Sequence, residues 1–335
     1  MKEYILLIPI IVSFLITLMV TPSWIRRAHN AGLVGKDMHK FKGNLVAEAG
    51  GINVVAGFII GVLIYIALKT FYFEQSIDVL ETFALISVIM MVSFIGLIDD
   101  LLGWKIGLGN KVRLGLVLFA AIPLIVINAG SSEVSLPFIG AINMGLLYPL
   151  LVIPIAVIGT STTFNFLAGY NGLEARQGIL ILGALAFASW FTGSHWLSVI
   201  LTCMIASLLA FLIFNSYPAR VFPGDVLTYS IGALIASIAI LGNLEKFALF
   251  IFIPNILEVF LKLKGKLKKE SFALAQEDGS IKQRYNKIYG LEHLGIYIIG
   301  KFKKVYENDV ILFVNLIQII VIILAFIIFK EGIFL

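Results

Sequence analysis

The chain has 335 residues, of which 60% are hydrophobic and 13% charged, with a formal net charge of +5. Soluble domains run at about 45–50% apolar and about 25% charged residues, so this composition excludes a soluble globular protein and reads as an integral membrane protein. A helical span needs about 20 apolar residues. Hydropathy runs broken by polar or Gly/Pro clusters place spans at 4–24, 50–68, 82–101, 112–128, 142–160, 178–192, 196–214, 226–242, 245–262 and 309–329. The run from Tyr4 to Trp24 exceeds the apolar region of a signal peptide and no small-residue cleavage site follows it, so it reads as a retained span. The single Cys203 lies inside an apolar run and excludes a disulfide within the chain.

The expected fold class is therefore an all-α membrane protein of about ten transmembrane helices. Residues 1–335 are expected to form one integral membrane catalytic domain, with a cytoplasmic loop at 263–308 between the last two spans. Loops after odd-numbered spans hold 21 of the 25 Lys and Arg residues, leaving Lys2, Lys69, Lys246 and Lys330 on the opposite face. The positive-inside rule then makes the odd loops cytoplasmic and places both termini outside. Topology alone needs such lysines, and they also make the inner face attractive to anionic headgroups and phosphorylated substrates. Within the long last loop, Ser271–Gln276 and Ile281–Tyr285 flank an Asp-Gly turn, the pattern of a small β-hairpin. Leu291–Tyr306 mixes apolar residues with Lys301, Lys303 and Lys304, which suits an interfacial helix or an ordinary amphipathic one.

Polar residues that could carry chemistry gather in the odd loops. Ser161–Gln177, STTFNFLAGYNGLEARQ, is a polar, turn-rich island between apolar runs, costly near lipid unless it lines a cavity. Asp99-Asp100 end the third span before Gly103; two adjacent carboxylates at a helix C-terminus oppose the dipole, so they read either as a solvated helix end or as a base or cation-linked pair with Lys111 and Arg113 nearby as counter-charges. Asp225 follows Pro223-Gly224 and reads either as a helix N-cap or as an oxygen ligand for a divalent ion. Lys36-Asp37 and Glu48-Ala49-Gly50-Gly51 occupy the first inner loop, where glycines would let backbone approach a ligand. His29 and His39 lack metal-ligand spacing and read as solvated or interfacial, and Gly107-Leu108-Gly109 lacks the context of a dinucleotide fingerprint.

GLIDD (96–100), Lys111, NFLAGYNGLEA (165–175) and ARVFPGD (219–225) together resemble the polyprenyl-phosphate N-acetylhexosamine-1-phosphate transferases, over nearly the whole chain. The NGLEA and RVFPGD wording looks closest to the eukaryotic and archaeal dolichyl-phosphate branch. The resemblance implies ten-span enzymes that move a sugar-1-phosphate from a UDP-sugar to a lipid phosphate. It implies Asn165 and Asp225 as Mg²⁺ ligands (with Mn²⁺ as the alternative ion), Asp99 and Asp100 as the essential carboxylate pair, and Lys111 as a phosphate contact. It implies Asn171 and Gly169 around uracil, Phe222 stacked on it and Glu48 near the ribose. Arg220, Lys268 and Lys269 complete the substrate-binding set, although Lys268-Lys269-Glu270-Ser271 stand where the family commonly shows an Arg/His-rich sugar motif. A second departure is Thr162, where an Asn is common upstream of the metal-binding Asn.

The expected reaction is transfer of GlcNAc-1-phosphate from UDP-GlcNAc to dolichyl or polyprenyl phosphate with release of UMP, the first step of lipid-linked oligosaccharide synthesis for N-glycosylation. Another UDP-N-acetylhexosamine or an undecaprenyl carrier is the same-class alternative, and a transporter the alternative of another class. A transporter should carry charge near the membrane midplane, whereas these acids fall at span ends on one face. Expected partners are UDP-GlcNAc, the lipid phosphate and the bilayer, with no nucleic acid; a homodimer is compatible. The expected location is an archaeal plasma membrane, ahead of an endoplasmic reticulum membrane, with the active site cytoplasmic.

Overall fold

The computed structural model describes residues 2–103, 107–136 and 140–334. Lys105, one of the inner-loop lysines, lies outside them. The helices are α1 (Leu7–Asn30), α2 (Gly51–Ala67), α3 (Val79–Leu102), α4 (Asn110–Ala120), α5 (Ile122–Val126), α6 (Ile153–Phe166) and α7 (Leu173–Phe191). They continue as α8 (His195–Asn215), α9 (Gly224–Leu241), α10 (Glu245–Ile251), α11 (Ile253–Lys264), α12 (Leu291–Ile299), α13 (Glu307–Ile328) and α14 (Lys330–Phe334). Among the described residues, seven helical stretches are long and apolar enough to cross a membrane: Tyr4–Asn30, Gly51–Tyr72, Val79–Leu102, Tyr148–Phe166, His195–Asn215, Gly224–Leu241 and Glu307–Ile328. The other three expected spans are also helical. Two of them are interrupted, α4–α5 at Ala121 before Pro123 and α10–α11 at Phe252 before Pro254, where proline removes a ladder donor. The third, α7, carries Glu174 and Arg176 in its first turn and a half.

The fifth span differs most from expectation. It runs over 148–166 instead of 142–160, because residues 133–136 and 140–143 form a hairpin that ends just before it. The hydroxyls of Thr160 and Thr162 bond back to Ala156 O at 2.8 Å and Ile158 O at 2.7 Å. Those bonds satisfy the hydroxyls inside the helix, so they do not end it.

The centre of the bundle is α9. Of its most apolar 18-residue window 83% is buried, against 22% for α1 and α13. It packs on α3 and α6 most extensively, and also on α2, α7 and α10. Small residues permit this: a Cβ at Gly232 would come within 2.5 Å of Ser161 Cα, and one at Gly96 within 2.6 Å of Val226 N. Between apolar helices in lipid, such close backbone approach replaces the hydrophobic drive as the source of cohesion. The first residues of α9 are thereby fixed against the last residues of α3 and α6.

Among the described residues, three two-stranded antiparallel ribbons lie outside the bundle. β1 (Val34–Lys36) pairs with β2 (Leu45–Ala47), β3 (Glu133–Leu136) with β4 (Gly140–Asn143), and β5 (Leu274–Ala275) with β6 (Ile281–Lys282). The last is the hairpin expected in the final loop, turning through Gly279 at φ +78°. The amphipathic segment after it is shorter than expected. α12 buries Leu291, Glu292, His293 and Ile296, while Tyr297, Ile298 and Phe302 stay outside near Lys301 and Lys303, Phe302 at 84% exposure.

His293 in α12 accepts the Tyr289 N–H at 3.3 Å, and burial, then the Lys262 ammonium, push its imidazole down to about 4. An unfolded His titrates near 6.5. Below that pH the unfolded chain takes up a proton that the folded chain refuses, so the contribution is complete above about 6.5 and is lost toward pH 4, up to roughly 3 kcal/mol. His293→Gln is expected to flatten the acid limb of thermal unfolding in detergent over that window; parallel profiles for the two proteins would assign the limb elsewhere.

Candidate active site

One polar cleft of about 720 Å³ opens where the ends of α3 and α6, the starts of α7 and α9, the β1–β2 ribbon and the last loop meet. These are the loops after odd-numbered spans, so the structure brings together on one face what charge counting placed on one side.

Asp100 and Asp225 have different work. Asp100 Oδ1 accepts the Asp225 N–H at 2.8 Å and Oδ2 the Val226 N–H at 3.2 Å. It thus caps α9 from another helix, satisfying two of the four donors that a helix N-terminus leaves free. Gly224, at φ +71°, allows this, since a Cβ there would lie 2.8 Å from the Asp100 carboxyl carbon. Asp225, the second residue of α9, makes no side-chain cap of its own. Its carboxyl group faces Asp99, Asp100 and Arg113. Asp99 is engaged on both oxygens: Oδ1 accepts the Leu108 N–H, and Oδ2 pairs with Arg113 Nη2 at 2.6 Å.

Asn165 ends α6 with Oδ1 accepting from Thr228 Oγ1 at 3.0 Å, and Thr228 stands one turn after Asp225 on the same face of α9. The β1–β2 ribbon is fastened to the segment before α9 by three backbone bonds: Phe222 N to Ala47 O at 2.7 Å, Gly50 N to Phe222 O at 2.9 Å and Gly51 N to Pro223 O at 2.8 Å. Gly50 and Gly51 therefore admit this strand-like contact, not a ligand; a Cβ at Gly51 would meet Pro223 O at 2.6 Å. The docking brings Glu48 and Phe222 into the same cleft. Burial, then the Asp100 and Glu174 carboxylates, push Glu48 up to about 7.

Asn171 and Gly169 line the same cleft. Glu174 holds Gly169 N–H at 2.7 Å through Oε1, while its buried Oε2 has no partner among the described residues. Phe272 reaches in from the last loop, close enough that a Cβ on Gly169 would sit 2.9 Å from its ring. Phe272 carried no sequence signal; Thr228 could have been found from its i+3 spacing to Asp225.

Lys111, exposed at the start of α4, does not line the cleft; Arg113 and Lys36 do, and Arg113 is the one paired with Asp99. Arg220 is exposed and stacks over Phe214 at 4.7 Å, bonding Ile213 O at the C-terminus of α8. Lys269 lines a side pocket of about 230 Å³ that shares Asn165, Ala168 and Phe272 with the cleft, while Lys268 lines neither. His39 is buried, contrary to the solvated reading, because its Nε2 accepts the Ala273 N–H at 3.2 Å and its ring packs 4.1 Å from Tyr170. With Asp37 and Glu307 it makes a buried group of three metal-ligating side chains. Since Nε2 is an acceptor, Nδ1 carries the proton and faces Glu307 Oε1 at 3.6 Å, so the three side chains are held together by their own polar contacts.

A sequence model described as Glycosyl transferase family 4 matches residues 82–243. A protein of Saccharolobus solfataricus named a putative UDP-N-acetylglucosamine–dolichyl-phosphate N-acetylglucosaminephosphotransferase is 38% identical over 93% of this chain and 94% of its own. The protein of that name from Sulfolobus acidocaldarius is 34% identical over 96% and 95% of the two chains. A UDP-N-acetylglucosamine–dolichyl-phosphate N-acetylglucosaminephosphotransferase of Dictyostelium discoideum is 30% identical over 72% of this chain and 68% of its own. The chain belongs to glycosyl transferase family 4. Within this family-4 chain the matched region spans α3 to α9, and so contains the Asp99–Asp100, Asn165–Asn171 and Asp225 segments.

The family-4 cleft has the donor set of a hard divalent cation. Asp99, Asp100 and Asp225 meet around one guanidinium, leaving an excess of negative charge when all are ionised, with the Asn165 carbonyl nearby in the same cleft. All these donors are oxygen, the ligand type that suits Mg²⁺ and Mn²⁺.

Proposed function

We propose that this chain transfers N-acetylglucosamine-1-phosphate from UDP-N-acetylglucosamine to dolichyl phosphate, releasing UMP. The observation that carries the reading is the oxygen-rich cluster of Asp99, Asp100, Asp225 and Asn165 around Arg113, in a cleft on one face of an apolar bundle. The lipid phosphate oxygen attacks the sugar-bearing phosphorus, a new pyrophosphate bond forms, and the bond to the UMP oxygen breaks. A phosphate is already nucleophilic at neutral pH, so the barrier lies in anion–anion repulsion and alignment.

Asn165 and Asp225 would hold Mg²⁺, which when bound neutralises the pyrophosphate. Thr228 fixes the Asn165 amide, and Asp100 keeps the start of α9 in place. Asp99, occupied on both oxygens, orients Arg113 toward the phosphates and is poorly disposed to act as a base. Glu48, Asn171 and Phe222 receive the nucleoside end, and the side pocket bearing Lys269 receives the sugar. The cleft faces the cytosol of a plasma membrane, consistent with the lysine bias of the same loops.

Arg113→Ala is expected to lower turnover roughly a hundredfold, the scale for losing one preorganised electrostatic partner of a phosphoryl group. Arg113→Lys should recover part of that loss in steady-state kinetics. The reaction itself is tested with purified protein in detergent, radiolabelled UDP-sugars, dolichyl phosphate and Mg²⁺. Label should enter the lipid from UDP-N-acetylglucosamine, stop with a chelator and resume with added Mg²⁺. A panel of UDP-N-acetylhexosamines and an undecaprenyl acceptor reads sugar and carrier preference. Absence of transfer from every UDP-sugar would overturn the proposal.

A further inference from the structure

Asn171 is held on two sides by side chains far from it in sequence. Its backbone N–H donates to Glu307 Oε1 at 2.7 Å, at the start of α13, and its Nδ2 donates to Asp37 Oδ2 at 3.1 Å, just after β1. Asp37 is itself buried and fixed, its Oδ1 accepting the His39 N–H at 3.1 Å and its own N–H reaching Asn44 O at 2.9 Å. His39 is anchored in turn by the Ala273 N–H.

The orientation of the Asn171 amide follows from chemistry. An ionised carboxylate only accepts, so the amide must turn its NH₂ toward Asp37. Its Oδ1 then points away from Asp37, and no hydrogen bond among the described residues reaches it, although Asn171 lines the cleft. The wall therefore offers an acceptor with a fixed direction. It matches a ligand edge that presents an N–H and opposes one that presents a lone pair. Uracil carries N–H at ring position 3; cytosine carries an unprotonated nitrogen there.

We propose that Asp37 is a positioning residue for base selection: it locks the Asn171 amide with its oxygen toward the cleft, so that uridine nucleotides are accepted and cytidine nucleotides refused. This rests on the reading of the cleft as a UDP-sugar site. Asp37 lines the cleft as well, and its effect on base selection runs through the Asn171 amide that it holds. Asparagine at position 37 can offer either oxygen or NH₂ to Asn171, so the Asn171 amide becomes free to turn. A site that leaves a buried polar group unpaired discriminates strongly against the wrong ligand, and one whose amide can flip loses that discrimination.

The test measures UMP and CMP affinity by calorimetry on the full-length protein in detergent with Mg²⁺, and UDP-N-acetylglucosamine kinetics. The wild type is expected to prefer UMP, and D37N to lower the UMP:CMP affinity ratio at least tenfold, with KM raised more than kcat is lowered. The exchanged pair D37N/N171D gives the amide at position 37 a carboxylate to donate to and restores an acceptor facing the cleft, so the UMP preference should return; this arm also carries the test if D37N alone does not stay monodisperse. An unchanged UMP:CMP ratio in D37N, or no recovery in the exchanged pair, overturns the inference. A wild type that binds neither nucleotide overturns the underlying reading of the cleft instead.

Discussion

Asp225→Ala is expected to lower sugar-phosphate transfer roughly a thousandfold and to leave the bundle folded, the scale of losing a group that stabilises charge in the transition state. The expectation of intact folding comes from the capping geometry. The first donors of α9 are satisfied by Asp100, and the Asp225 carboxylate contributes no cap. Removing it relieves repulsion among three neighbouring carboxyl groups, so the melting temperature in detergent should hold or rise. The variant should also lose its response to added Mg²⁺. A variant that melts early while keeping its turnover per folded molecule would make Asp225 a structural residue.

Asp100→Ala should behave in the opposite way with respect to stability. It strands the Asp225 and Val226 N–H groups in a buried place, a cost of about 2–4 kcal/mol by the usual penalty for unsatisfied donors and lost caps. The melting temperature should fall by several degrees, and transfer should fall roughly a hundredfold or more, because the start of α9 carries Asp225 and, a turn later, Thr228, the partner of Asn165. Asp100→Asn keeps one acceptor and should lie between. Measured side by side, the Asp100 and Asp225 variants separate the residue that holds the site from the residue that acts in it. Equal melting temperatures for both variants would contradict the capping assignment.

Much of this arrangement was legible before the fold was known, for a physical reason. Apolar runs in a membrane chain have few alternatives to helix, so the order of ten stretches followed from hydropathy. Which loops share a face followed from lysine bias, and Asp99, Asp100, Asn165, Asn171, Phe222, Glu48 and Asp225 indeed line one cleft. Boundaries were less accessible. Hydropathy ends the fifth span at 160, whereas the helix runs on to Phe166 with the Thr160 and Thr162 hydroxyls bonded to the preceding turn. Nothing local to Glu174 announces that its carboxylate braces the Gly169 N–H.

The remaining differences all come from contacts between distant segments. Arg113, not Lys111, lines the cleft, because its guanidinium pairs with Asp99, whose other oxygen accepts the Leu108 N–H. His39 is buried by the last loop, 234 residues away. The pairing of Asp37 with Asn171 spans 134 residues, and no local pattern announces it. Local pattern told which residues were polar and on which side; only the packed chain told which of them hold the others.

The central claim is that the sugar moves together with one phosphate. UDP-N-acetylglucosamine labelled with ³²P at the β-phosphorus, incubated with the protein, dolichyl phosphate and Mg²⁺, tests it most directly. The account predicts that the label enters the lipid fraction while unlabelled UMP is released. Label remaining in the aqueous phase as UDP, with only the sugar in the lipid, would contradict it.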